Sequence, residues 1–143
     1  MLILVLLALV GLAAFLVLHT ANRNAGKRLR QVQEQSFAHL RFPAYGARLT
    51  GAEVTVVKRG NRPPEVPSLP TLDDTADASW WYCVGPRRTC YMAIAQCERQ
   101  WLSWKVRWVV RPLDEEHMRQ ALDGDDDALW QAFGWGVGAA GPA

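Results

Sequence analysis

The sequence predicts an α+β chain: an N-terminal transmembrane helix followed by a small antiparallel sheet packed on C-terminal helices. Three observations carry that expectation. Residues 2–18 form an uncharged apolar run, residues 80–111 hold three segments with strand character, and residues 112–134 carry helix caps around apolar side chains. With 143 residues, 50% of them hydrophobic and 21% charged, the chain is long enough for one small domain and too apolar to be disordered. The organisation read from it is a transmembrane helix over 1–21, a basic amphipathic stalk helix over 22–43, a small α+β domain over 44–134, and a flexible tail over 135–143.

Thirteen of the 17 residues in the run 2–18 are Leu, Ile, Val or Phe, and the others are Ala8, Gly11, Ala13 and Ala14. At 1.5 Å per residue the run spans about 25 Å, which Met1 and residues 19–21 extend toward a hydrocarbon core of about 30 Å. At about −0.3 to −0.6 kcal/mol per large apolar residue, insertion gains on the order of 4 to 8 kcal/mol. A cleaved signal peptide would show a basic start, a shorter apolar core and a small-x-small cleavage site, and cleavage after Ala21 would put His19 where a small side chain belongs. The expectation is therefore an uncleaved single-pass anchor. All 30 charged side chains lie beyond His19, and Arg23, Lys27, Arg28 and Arg30 crowd the end of the run. That places the following domain on the cytoplasmic side of the cell membrane. The same four residues are candidate contacts for anionic lipid.

Residues 24–42 read as a helix continuing from the anchor, with Leu29, Val32, Ser36 or Phe37, and Leu40 at three- and four-residue spacing and Pro43 as its stop. Its apolar stripe is expected to lie on the chain's own domain, with self-association as the alternative use. Residues 47–59 contain the β-branched run Val54, Thr55, Val56 and Val57, read as one strand with a bulge at Gly51. Residues 61–79, with Pro63, Pro64, Pro67, Pro70 and three aspartates, read as a long surface loop whose single PxxP, Pro64 to Pro67, is a weak recognition signal.

Gly85-Pro86-Arg87-Arg88 separates residues 80–84 from 89–97 as a hairpin turn. Residues 89–101 also place Cys90, Ile94, Cys97 and Trp101 at helical spacing, but strand is the better reading beside that turn. In residues 103–111, Trp104, Val106, Trp108 and Val110 alternate with Lys105, Arg107, Val109 and Arg111, so one face buries and one is basic. Pro112 ends the strand. Asp114 is an N-cap, with Leu113 and Met118 placed as a hydrophobic staple, and Gly124 closes that helix. A second short helix carries Leu129, Trp130 and Phe133 and stops at Gly134. Beyond it Trp135 is the one anchor of a glycine-rich tail.

Candidate chemistry is sparse. Cys83, Cys90 and Cys97 recur every seven residues and form no CxxC pair. The three are expected to be buried free thiols; with a loop of 85–88, however, Cys83 would face Cys90, a pair able to form a disulfide if the domain were exported. Residues 123–127 would need Gly at 128 and Glu at 134 to form a calcium loop, where the chain has Ala128 and Gly134, so those aspartates read as helix caps. His19, His39 and His117 have no nucleophile beside them, and no glycine-rich phosphate loop occurs. The expectation is no catalytic residue, no metal and no cofactor.

Residues 80–111 carry six basic side chains and one acidic, residues 112–143 one basic and seven acidic. The complementarity suggests that the C-terminal helices partly neutralise the strands. Tryptophans in company with valines on a period-two face read as core rather than as a stacking platform, which disfavours nucleic acid. The function expected is a membrane-anchored, non-enzymatic interaction or assembly module. Membrane lipid, an unidentified protein and a second copy of the chain are its partners. Two alternatives are an exported or periplasmic binding protein and a pilin-like membrane subunit. The latter shares the architecture but would have a basic leader with a processing glycine and an acidic residue in the apolar run.

Overall fold

A computed structural model describes residues 1–44, 48–61, 64–69, 77–101 and 103–136. The chain divides into two compact units, Met1–Val32 and Gln33–Ala143. In the first, residues 2–32 belong to helix α1, Leu2–Ala38, and residues 1–24 are exposed throughout. The one hydroxyl near the end of the apolar run, that of Thr20, donates back to the carbonyls of Leu16 and Val17 at 2.9 and 3.0 Å, so it adds no unmet polar demand. By length and composition α1 is able to cross a membrane.

The second unit opens with the last residues of α1, 33–38. The helix stops there and does not run on to Pro43. Phe42 precedes that proline and is therefore steered to an extended backbone, so Arg41–Phe42 becomes strand β1. Its partner is β2, Leu49–Thr50, paired antiparallel as Arg41↔Thr50 and Phe42↔Leu49. A 3-10 turn over Gly51–Glu53 follows, in which the Glu53 carboxylate accepts from the Thr50 amide at 2.8 Å and the Thr50 hydroxyl at 3.0 Å. The expected single strand over 47–59 is thus two strands separated by this turn. Gly51 is not a bulge: its amide donates to the Leu40 carbonyl at 2.9 Å, and a Cβ there would run into the Phe37 carbonyl.

Strands β3 (Thr55–Asn61), β4 (Asp77–Val84), β5 (Cys90–Gln100) and β6 (Ser103–Leu113) form an antiparallel meander in that spatial order, with the register shift between Val56 and Lys58. β4 starts at Asp77, inside the stretch expected to be loop. Pro64 and Val66 of that stretch are buried, so the PxxP cannot present both prolines. β6 runs through Pro112 to Leu113, two residues past the expected stop. It is an edge strand, where a missing N–H costs no ladder bond.

Both faces of the sheet are covered. On the front face Trp80, Tyr82, Met92 and Ile94 pack with Val66, Trp135 and the helices α2 (Glu115–Asp123) and α3 (Asp126–Ala132), through Met118, Ala121, Leu129 and Trp130. On the back face Trp81, Cys83, Tyr91 and Ala93 pack with Phe37, Phe42 and Leu49. Tryptophans therefore serve two cores rather than one tryptophan-rich face. Burial on both sides also explains the near-continuous apolar reading of β5, residues 91–97 of which are buried without interruption.

The caps of α2 form as expected. Asp114 accepts the His117 amide at 2.7 Å, Leu113 and Met118 meet in the front core, and Gly124 closes the helix at φ 92°. Asp125 precedes α3 but accepts no cap hydrogen bond through its side chain. Trp135 is buried, and Gly136 exchanges backbone hydrogen bonds with Glu65 at 3.1 and 3.3 Å. Trp135 is thus held as the anchor expected of it, Gly136 is held with it, and the rest of the expected tail, residues 137–143, lies outside the described residues.

Candidate functional site

Arg23, Lys27, Arg28 and Arg30 are all exposed on α1. At 100° per residue, Arg23, Lys27 and Arg30 fall within about 60° of arc, and Arg28 points away from them. Measured along the helix from Leu18 they lie roughly 7 to 18 Å beyond the apolar run.

In the second unit the closest grouping of ionisable side chains joins β3, β4 and α3. The Tyr82 hydroxyl donates to Asp126 Oδ1 at 2.8 Å, and Lys58 Nζ lies 3.7 Å from Asp126 Oδ2. The same Nζ donates to the Ala121 carbonyl at 2.7 Å and lies over the rings of Trp80 and Tyr82, 5.3 and 5.9 Å from their centroids. Burial pushes the Tyr82 phenol well above its ordinary value, helped by the Asp126 hydrogen bond and charge. The ammonium thus donates to a carbonyl and is paired with a carboxylate, and the phenol donates to that same carboxylate. The group is a latch that fixes the start of α3 on the sheet. The sequence reading treated Asp126 as a helix cap; its pairing to β3 and β4 spans more than 40 residues of chain and leaves no local signal.

The cysteines do not meet as expected. The connection after β4 runs over residues 85–89, closed by the Gly85 amide on the Thr89 carbonyl at 2.7 Å, with Arg87 and Arg88 left-handed at φ 63° and 59°. One residue more than the assumed loop shifts the register, so Val84 pairs with Cys90 and Cys83 with Tyr91. Cys83 and Cys90 then belong to opposite faces. Cys83, Cys90 and Cys97 are free. Burial pushes the Cys83 thiol up to about 12 and raises Cys90 and Cys97 as well. Cys97 Sγ accepts from the Gln33 amide at 3.2 Å, which ties α1's last turns to β5.

The histidines stay apart: His19 stacks on Phe15, and His117 lies 3.0 Å from Asp114 and packs on Phe133. Among the described residues no three of His, Cys, Asp or Glu converge as metal ligands. Of the tryptophans in residues 80–111, Trp80 and Trp81 are buried, Trp104 and Trp108 are half-buried with Trp108 donating to Ser36 at 2.9 Å, and Trp101 is exposed. Among the described residues the ion pair between the sheet and the C-terminal helices is Lys58–Asp126; Lys105, Arg107 and Arg111 of β6 keep their charge at the surface, Arg111 5.8 Å from the Trp135 ring.

Fold and surface together define an α+β chain with, among the described residues, one exposed helix, near its N-terminus, long and apolar enough to span a membrane. No protein-family model, curated protein or solved structure matches the chain.

Proposed function

We propose that the chain is a single-pass membrane protein whose α+β domain acts at the cytoplasmic surface as a non-enzymatic interaction or assembly module. The observation that carries this is the apolar run 2–18, which has no charge and no cover: all 17 side chains are exposed. In water such a surface is a large unpaid hydrophobic cost, and in a bilayer it is a favourable one. The exposed cations that follow supply the orientation. On the domain Lys58, Tyr82 and Asp126 are joined in one latch and Asp114 caps α2, an arrangement that supports a role in contact. In the Cys83–Tyr91 register Cys83 and Cys90 are not opposite one another, so no cross-strand pair lends support to the exported reading.

The test is membrane fractionation of the full chain with a reporter at its C-terminus. Retention in the membrane after alkaline carbonate washing and reporter activity confined to the cytoplasm are expected. A chain found in the aqueous fraction, or one whose mature terminus lies beyond Leu18, would overturn the anchor. A reporter active only across the membrane would overturn the sidedness. Replacing Arg23, Lys27, Arg28 and Arg30 together with glutamine is expected to give a mixed orientation.

A further inference from the structure

The Gln100↔Ser103 pair closes the β5–β6 hairpin, and Trp101 stands at its end; residue 102 lies outside the described residues. Short hairpin connections favour Asn, Asp and Gly, which accept left-handed backbone. Trp101 is 94% exposed, whereas each of the other six tryptophans is buried or half-buried. Neither turn chemistry nor core packing accounts for an indole at that position. Around it Arg99, Lys105 and Arg107 are exposed, against a single acid, Glu98, so residues 98–107 carry net +2. An apolar tip with a cationic rim is complementary to the boundary between the headgroups and acyl chains of an anionic leaflet, where indole rings are enriched.

The contacts within the second unit show from which end of the sheet the chain arrives. Gln33 donates to Cys97 Sγ and to Ser79 Oγ at 3.2 and 3.5 Å, and one turn later Phe37 packs on Trp81, whose partner on β5 is Ala93. Cys97 is four residues nearer the hairpin end than Ala93, so residues 33–37 run away from that end, and Trp101 lies about 13 Å beyond Cys97 along the strand.

Resting on the membrane reading above, we infer that the β5–β6 hairpin end is a second bilayer contact, in which Trp101 enters the interface of an anionic leaflet while Arg99, Lys105 and Arg107 face its phosphates. The experiment uses the full chain in nanodiscs of phosphatidylcholine, alone or mixed with phosphatidylglycerol, with and without lipid brominated near the carbonyls. The difference in emission between the wild type and Trp101→Phe isolates the one indole. Trp101→Phe is expected to leave the near-ultraviolet circular dichroism unchanged, because the ring has no core contact. The expected result is a blue-shifted difference spectrum that is quenched by the brominated lipid, with the shift and the quenching reduced in pure phosphatidylcholine. A chain that co-elutes with the discs while the difference spectrum remains that of an indole in water, unquenched, overturns this inference and leaves the anchor standing. So does a shift that follows the number of chains per disc rather than lipid charge, which would assign the tip to a second copy. A chain that does not co-elute with the discs overturns the membrane reading itself.

Discussion

Replacing Phe37 with alanine asks whether the end of α1 is part of the sheet domain or a stalk that leads up to it. Phe37 is 6% exposed, with ring centroids 4.5 Å from Trp81, 5.5 Å from Trp108 and 5.7 Å from Phe42. Three aromatic walls cannot collapse into the space left by the ring, because Trp108 is held by its hydrogen bond to Ser36 at 2.9 Å and Trp81 is fixed in a central strand. The full cost of a buried Phe→Ala change, about 3 to 5 kcal/mol, should therefore be felt. For a domain near a hundred residues, at about 4 °C per kcal/mol, that is a fall of roughly 12 to 20 °C in Tm. The assay is thermal unfolding of the full chain in nonionic detergent, followed by near-ultraviolet circular dichroism, since the apolar part of α1 would dominate the far-ultraviolet signal. Val57→Ala, at a side chain 45% exposed, is the control and should cost about 0.5 kcal/mol or less. A Phe37→Ala loss below about 1 kcal/mol would refute the assignment of residues 33–38 to the core.

Two further outcomes follow from the thiols and the phenol. Maleimide at neutral pH should label Cys90 alone in the folded chain and all three cysteines in denaturant, read by mass spectrometry, because Cys83 and Cys97 are buried and Cys90 is partly open; native labelling of Cys83, or a Cys83–Cys90 crosslink on oxidation, would contradict the register. Stability should be level up to about pH 9 and fall above it. Cys83 rises from an ordinary 9.0 to about 12 and Tyr82 rises from 10.0, so above those ordinary values the unfolded chain releases protons that the native state still holds. A Tm unchanged between pH 9 and pH 12 would refute the burial of both groups.

The apolar run, the β4–β5 turn, the alternation of β6 and the caps of α2 were legible because each is written within a few neighbouring residues. Asp114, Leu113, Met118 and Gly124 act over one helix, and Trp104 to Val110 alternate against one neighbour. What escaped depends on distant partners. Arg41–Phe42 is a strand only because Leu49–Thr50 lies beside it, and a two-residue element has no period to read. The Cys83–Cys90 pairing failed by one residue of loop, and period-two geometry turns that slip into a change of face. Tyr82, Lys58 and Asp126 come from three elements, and the aspartate run around Asp126 has a sufficient local explanation that hid the longer one.

The open sheet also constrains how such a module can assemble. A four-stranded meander leaves two edges, and the longer one, β6, offers 11 residues to any added strand. Lys105, Arg107, Arg111 and Pro112 punctuate that edge, three charges and one position without a donor, which is how natural sheets discourage pairing with a second copy. At the other edge β3 is broken in register between Val56 and Lys58 and draws Lys58 into the latch with Asp126. Strand addition is thus opposed at both sides by features that cost the fold little. Contacts through side chains remain, and among the described residues of the second unit the most exposed large apolar side chain, Trp101, is at the hairpin end. If Arg107→Val and Pro112→Val together yielded dimers of the full chain by cross-linking in detergent while the wild type stayed monomeric, edge protection would be the reason the sheet does not pair through β6; an unchanged monomer would mean that the edge was never competent to pair.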